Sequence, residues 1–352
     1  LATIKDVARA AGVSPSTVSR VVRNSGYVSE EARAAVLAAV ERLDYHPNAV
    51  ARSMTQQRTH TIGVVISDIA NPFFPSVVRG MDDVAQSNGY KLIVCNSDED
   101  PAKERDFVRV LLSRQVDGLI VASTGGALHE LAAAMNDGVP VVLLDRFLRL
   151  PGADAVGIDN IDAAHRAVRH LLELGHRRIG IILGPNHVQT SKARLAGYLK
   201  ALRAYGVPPD PALQRTGDFK EAGGYNHTQA LLALEPRPTA LFTTNNLTTT
   251  GALMALREAG VTIPDQMAIV GFDDMPWARI VRPALTVVEQ PTYLLGTTAA
   301  QLLFARLNGR ETSPVGRIVQ LEANLVVRES CGARQHRSID QQGHASSAAR
   351  AR

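Results

Sequence analysis

Four aliphatic runs in this chain each end on polar residues of the kinds that recognise hydroxyl groups. Asp68 and Asn71 follow IGVVIS, Asp145 and Arg146 follow VVLL, Asn245 and Asn246 follow ALFTT, and Asp273 and Asp274 follow AIVGF. Arg194 falls on the helical stretch after IGIILG, Phe73 and Phe74 stand beside Asn71, and Phe219 follows a short strand expected near 214. Carboxylates, amides and a guanidinium can hold several hydroxyls while an aromatic face covers the apolar side of a ring. Other chemistry fits the same residues. Asp145 or Asp273 can serve as acid or base in a sugar-modifying enzyme, Asp273–Asp274 can hold a metal, and each can simply cap a turn. A shared place at the ends of strands favours the pocket over these single-residue readings.

That place depends on the elements around it. From Thr61 onward, aliphatic strands alternate with helices. Strands are expected over Ile62–Ile66, Leu92–Val94, Gly118–Ala122 and Val139–Leu144, then Ile179–Leu183, about 214–216, Thr239–Thr243 and Ala268–Val270. Helices are expected near 75–88, 102–114 and 127–137, then 162–174, 191–205, 221–234 and 248–259. Continuous aliphatic strands separated by helices form parallel sheets covered on both faces. Two such sets make a bilobed α/β body, and ligands of open α/β sheets bind beyond the carboxyl ends of the strands. The segment after Pro283 must complete a lobe or cross between lobes.

The first sixty residues read differently. Thr3 and Asp6 form a capping box ahead of Ile4, Val7, Ala8 and Ala11. Gly12 stops that helix, Ser14 caps the next, and Pro15 opens it. Val18, Val21 and Val22 give the second helix an apolar face. A third, after Ser29, can close a core through Val36, Leu37, Val40 and Leu43. The Gly-Val-Ser turn is helix-turn-helix spacing, and Ser16, Thr17, Ser19 and Arg20 are left to face bases and phosphates in a major groove. The segment YHPNAVARSMTQQ that follows has helical spacing but only Ala49, Val50, Ala51 and Met54 as apolar surface, too little for an isolated helix.

Charge and composition narrow the classes. The 352 residues suffice for two or three domains, and the net charge of +4 is unevenly spread. Residues 1–60 hold eight cations against five anions, residues 333–352 hold four against one, and the stretch between is near −2. A basic front end suits an anionic partner. Two cysteines, Cys95 and Cys331, make no disulfide framework. The start lacks a signal-peptide core, and no run is long enough to span a membrane, so a cytoplasmic location is expected. GxGxxG, Walker, HExxH and GxSxG patterns are missing; no cofactor, metal or catalytic residue is expected.

The quoted motifs also resemble a known group. TIKDVARAAGVSPSTVSRVV, YHPNAVARSM, NPFF, VDGLI, LGHRRIGIILG and VGFDD occur in the order found in the lactose-repressor/galactose-repressor family of bacterial transcription regulators, and the resemblance runs over residues 3–330. It implies a homodimer, with a tetramer as the alternative, on an approximately palindromic double-stranded DNA operator. It also implies an N-terminal all-α helix-turn-helix headpiece and a bilobed α/β periplasmic-binding-protein-like body holding a small effector. Pro15, Ser16 and Arg20 then fall where the recognition helix meets bases; Ser14, Thr17, Ser19 and Asn24 fall at or near backbone contacts. Residues 48–56 become a hinge helix that orders on DNA, with Ala49 and Met54 at a widened minor groove and Arg52 on the backbone. Effector contacts carry over onto Phe73, Asp145, Thr190, Arg194, Phe219, Asn245, Asp273 and Gln290.

The implied division is a headpiece over 1–46, hinge and linker over 47–59, an effector-binding and dimerisation body over 60–330, and a disordered tail over 331–352. Lobe 1 takes about 60–160 plus a late crossover segment, and lobe 2 takes about 161–289 plus a C-terminal segment. Two departures stand out: Asn246 where the family usually has Asp, and Met54 where it has leucine. Purine-responsive members carry an arginine near Val188, which this chain lacks. The expected function is a DNA-binding regulator, a repressor switched by a sugar, polyol or sugar acid. The alternatives are a sugar-binding or transport-type protein without regulatory role, and a sugar-modifying enzyme.

Overall fold

The structure, a computed structural model, describes residues 2–22, 24–45 and 58–333, and the chain divides into two compact units between Thr59 and His60. The expected hinge residues Ala49, Arg52 and Met54 lie outside the described residues, as does the tail after Ala333.

In the first unit, helices α1 (Ile4–Ala11), α2 (Pro15–Val22) and α3 (Glu30–Arg42) follow from their caps. Thr3 and Asp6 form the reciprocal capping box, and the Thr3 partnership, reinforced by Arg9, holds the Asp6 carboxyl below its usual range. Gly12 ends α1 in the left-handed conformation at φ 66°, which glycine adopts without a steric penalty. Ser14 Oγ accepts the Thr17 amide at 3.2 Å, and Ser29 Oγ accepts that of Ala32 at 3.4 Å. Val7, Ala8, Val18, Val21, Val36 and Ala39 form the core. Leu37 does not join it, contrary to the expectation above. It is 54% exposed, because one step along a helix from buried Val36 turns a side chain about 100° away from the core.

The second unit contains β1 (Thr61–Ile66), α4 (Phe73–Ser87), β2 (Lys91–Asn96), α5 (Pro101–Ser113), β3 (Gly118–Val121), α6 (Leu128–Asn136), β4 (Val141–Leu144) and β5 (Asp154–Ile158). It continues with α7 (Asn160–Glu173), β6 (Ile179–Leu183), α8 (Gln189–Ala204), β7 (Gln214–Thr216), α9 (Glu221–Leu232), β8 (Ala240–Thr243), α10 (Asn246–Glu258), β9 (Ala268–Phe272) and β10 (Thr286–Glu289). The last elements are α11 (Thr292–Leu307), β11 (Ile318–Leu321) and β12 (Asn324–Val326). Two six-stranded sheets result, ordered β11-β5-β4-β3-β1-β2 and β12-β10-β9-β8-β6-β7. Among the described residues, every strand pairing is parallel except that of β10 with β12.

The two sheets have the same order, so each lobe repeats one doubly wound plan. The chain passes between lobes three times: from β5 to α7, from β10 to α11, and from β11 to β12. Leu295, Ala299 and Leu303 of α11 accordingly sit in the core of the first lobe with Val77 and Met81 of α4. Strand β5 has no counterpart among the expected strands. Its sequence DAVGI begins with a charged residue, yet Asp154 is wholly buried. Arg306, on α11, grips it bidentately at 2.8 and 2.7 Å, a partner 152 residues away. Cys331 is also packed into the second lobe's core with Ala333 against it, so residues 331–333 do not belong to the tail expected from 331.

Glycines set the closest helix approach. A Cβ on Gly296 of α11 would overlap the Val77 carbonyl of α4, and one on Gly80 of α4 would overlap the Tyr293 carbonyl of α11. The second lobe repeats the device with Gly224 of α9 and Gly251 of α10. Gly296→Val is expected to force these helices apart and cost about 1–3 kcal/mol, the usual range for overpacking. Thermal unfolding checks it, and an unchanged melting temperature would show that the helices are free to separate.

Candidate functional site

The repeated plan places equivalent residues at equivalent strand ends. Asp145 leaves β4 with φ 66° and Asp273 leaves β9 with φ 73°. The amide of Asp145 donates to Val156 O and that of Asp273 to Val288 O, each at 2.8 Å. The left-handed backbone breaks each strand sharply and is uncommon outside glycine, with Asp among the residues that tolerate it. Phe219, past β7, has the same sign at φ 63°.

All eight expected effector residues, Phe73, Asp145, Thr190, Arg194, Phe219, Asn245, Asp273 and Gln290, line one cavity between the lobes. It encloses about 460 Å³ of atom-free space, including some open to solvent. Thr190 and Arg194 come from successive turns of α8. Asn245 caps α10 and donates from Nδ2 to Phe219 O at 2.9 Å, so the amide also positions the aromatic wall. Gln290 lies where β10 gives way to the second crossover and donates to Asp273 Oδ1 at 2.6 Å. Asn160, at the first crossover, accepts from Arg194 Nε at 2.8 Å. The connections between lobes therefore take part in the site itself.

Arg194 is buried with its guanidinium 3.8 Å from the Phe272 ring centroid, and it also donates to Thr244 O. Burial lowers its pKa, although Asp273 and Asp145 act against that. Burial raises both aspartates: Asp145 against the pull of Arg194 and Arg146, and Asp273 to about 6 against Arg194 and the Gln290 hydrogen bond. Two carboxylates and one guanidinium thus share a desolvated space, where interactions with a hydroxyl are stronger than in water.

Sequence reasoning also noted Asp68, Asn71, Phe74 and Arg146, which do line the cavity, but missed Glu99, Asp218 and Lys220. Lys220 pairs with Asp68, and Asn246 Nδ2 donates to Asn71 Oδ1 at 2.8 Å, so both contacts join the lobes. The departure at Asn246 thus meets the opposite lobe. Asp274 turns away from the cavity into a bidentate pair with Arg328 at 2.8 and 2.6 Å, which removes it from the metal reading. Among the described residues, no group of three or more His, Cys, Asp or Glu could hold a metal, and no helix is long and apolar enough to cross a membrane.

In the first unit Val18 and Val21 of α2 face the core, while Ser14, Pro15, Ser16, Arg20 and Asn24 are exposed and Thr17 and Ser19 half-buried. Ser14 Oγ lies 2.7 Å from Ser16 Oγ and 2.9 Å from Thr17 Oγ1, a preassembled hydroxyl cluster at the helix start. Asn24 Oδ1 accepts from Arg33 at 3.0 Å. Tyr27 is 89% exposed in the loop after α2, a large aromatic side chain that the sequence reading did not single out.

Comparison with known proteins covers both units. Residues 3–48 match the family described as bacterial regulatory proteins, lacI family, and residues 168–331 match a periplasmic binding protein-like domain. The chain is 34% identical over 332 residues to the HTH-type transcriptional repressor PurR of Photobacterium profundum, covering 94% of this chain and 98% of that one. It is 30% identical to the lac repressor, solved as a dimer bound to operator and an anti-inducer, with TM-score 0.82 over 94% of this chain and 99% of that one. A LacI family regulator from Enterococcus faecium with bound ribose is 32% identical, with TM-score 0.68 over 77% of this chain and 98% of that one. Full-length similarity to repressors joins a DNA-binding headpiece to the buried polar cavity, and the chain belongs to the lacI family: it is a sequence-specific DNA-binding transcriptional regulator under allosteric control by a small-molecule effector.

Proposed function

We propose that the effector is an uncharged monosaccharide, and that it controls a homodimer bound to an approximately two-fold operator through Pro15, Ser16 and Arg20. One observation carries the choice of ligand. The cavity's cations already have protein partners: Arg146 has Glu99, Lys220 has Asp68, and Arg194 has Asn160 and Thr244 O. Its unpartnered buried atoms are mostly acceptors, namely Glu99 Oε2, Asp145 Oδ1 and Gln290 Oε1, against the single donor Arg146 Nε. Leaving such atoms unsatisfied costs about 1–3 kcal/mol each, so a ligand rich in hydroxyl donors gains most by entering. An anion brings acceptors instead. Phe73, Phe74 and Phe219 provide apolar walls for a sugar ring, and the E. faecium relative binds ribose.

The homodimer is supported by the dimeric lac repressor and by apolar residues exposed at one sheet edge. Val94 on the edge strand β2 is 38% exposed, and Val110 on the adjoining α5 is 46% exposed. Effector binding and DNA binding must then be linked reciprocally, since a ligand that shifts the lobes shifts operator affinity by the same factor that DNA shifts its own.

A thermal-shift panel of D-ribose, D-xylose, D-glucose, cellobiose, D-ribonate and hypoxanthine tests the ligand class, followed by operator binding with each hit on full and half operators. A neutral monosaccharide is expected to raise the melting temperature and change affinity for the full site. Stabilisation by ribonate or hypoxanthine alone would overturn the reading, and equal affinity for half and full sites would overturn the dimer.

A further inference from the structure

We propose that Glu99 is the residue that restricts this cavity to uncharged sugars: it takes up the charge of Arg146, which would otherwise anchor an anion, and offers a carboxylate oxygen of its own to a hydroxyl. The inference rests on the neutral-sugar reading and names the side chain responsible for it.

The backbone shows that Glu99 is placed with effort. Strand β2 ends at Asn96, and the next turn puts Asp98 at φ 55° and Glu99 at φ 59°, two consecutive non-glycine residues in the left-handed region. Each such residue costs about 1–2 kcal/mol and persists only where the surroundings impose it. Here the end of β1 does so: the Ser97 amide donates to Ile66 O at 2.9 Å and the Glu99 amide to Ser67 O at 3.2 Å. Asp100 then caps α5, accepting the Ala102 amide at 2.7 Å. The turn is therefore pinned on both sides, with the Glu99 side chain directed into the wall of the cavity.

The two side chains are buried together, Arg146 at 3% exposed and Glu99 at 11%. Glu99 Oε1 lies 2.5 Å from Arg146 Nη2, while Oε2 is unpartnered. Arg146 Nη1 reaches Ala122 O only at 3.4 Å, and its Nε stands 3.9 Å from Asp145 Oδ2. Two carboxylates thus surround one guanidinium on the first lobe's wall. Opposite them, Arg194 faces Asp273, and Lys220 is held by Asp68, with Asp218 also lining the space. Five carboxylates in the lining outnumber three cations, so the local balance opposes an anion, and Glu99 is the carboxylate bonded directly to Arg146. Burial works against the Arg146 charge, but Glu99 raises the Arg146 pKa above its usual value.

The test uses the full chain with D-ribose and D-ribonate as probes, measured by calorimetry. The parent is expected to bind ribose and to bind ribonate much more weakly. E99Q keeps the shape of the side chain but removes its charge; the ribose-to-ribonate preference is expected to fall about tenfold or more, as a charge-assisted contact becomes available to the carboxylate. In E99Q/R146Q the pair is removed without leaving a lone cation, and the preference is expected to return to within about threefold of the parent, because the pair's charges cancel. This double variant also keeps the proposal testable if E99Q does not fold. A folded E99Q with the parent's preference would overturn the role of Glu99. A double variant that refuses ribonate much more strongly than the parent would show that Arg146 was available to anions all along, and one that accepts it much more readily would show that Glu99 was not neutralised; either overturns the proposal. A parent that binds no neutral sugar would instead overturn the reading beneath it.

Discussion

Arg194→Met is expected to abolish effector binding and to destabilise the body by about 3–5 kcal/mol, the usual cost of leaving buried charges without their partner. Methionine keeps much of the length and can still lie against Phe272, so the loss is chiefly electrostatic. Arg194 is the cation that lowers both Asp145 and Asp273, and it also holds Asn160 at the first crossover and Thr244 O beside the cavity. Removing it leaves two carboxylates that are already desolvated without the counter-charge they share.

The deficit should depend on pH, with a definite sign. The folded-state pKa of Asp273 is already raised to about 6 from 3.8, mainly by burial, so its favourable contribution is present in the protonated form at low pH and is lost as pH rises through about 6. Loss of Arg194 raises it further. The variant should therefore lie closer to the parent at pH 5 than at pH 8, where Asp273 must ionise without its buried cation. Denaturant melts at the two pH values, with ribose calorimetry at pH 8, check this. A deficit equal at both values would mean that Arg194 acts through packing rather than charge.

Arg20→Ala is expected to remove most specific operator affinity while leaving effector binding intact. Arg20 is exposed in the last turn of α2, opposite the buried Val18 and Val21, and makes no contribution to the headpiece core. A base-reading arginine contributes about 1–3 kcal/mol per contact, and the proposed two-fold operator would carry the contact twice. Operator affinity should fall by about 2–6 kcal/mol, with the binding that remains depending mainly on salt. The melting temperature should barely move, as for other surface substitutions. Parent-like affinity for the operator in Arg20→Ala would remove Arg20 from the reading surface.

Much of this was legible because it rests on local rules. The Thr3–Asp6 capping box, the Gly12 stop and the valine spacing of α2 are each set by residues three or four apart. The aliphatic runs of β1, β3, β4, β6, β8 and β9 announce buried parallel strands, and the polar residues past their ends announce a pocket. Leu37 marks the limit of that logic: it has the right chemistry for a core, and only the angle of α3 against α1 and α2 leaves it in water.

What tertiary structure alone decided depends on partners far apart in the chain. Asp154 can open a buried strand only because Arg306 meets it from the crossover helix. Gln290 lines the cavity, and Asn160 holds Arg194 in its wall, because the chain changes lobes at both. Glu99, in the acidic run SDED, has the sequence appearance of a solvated turn; it becomes part of the site because Arg146 lies beside it, 47 residues later. Charge in water is inexpensive and says little about place, whereas burial obliges each charge to find its partner. The sequence by itself therefore determined the elements and the family of the site, and the folded chain determined which charges are paired within it.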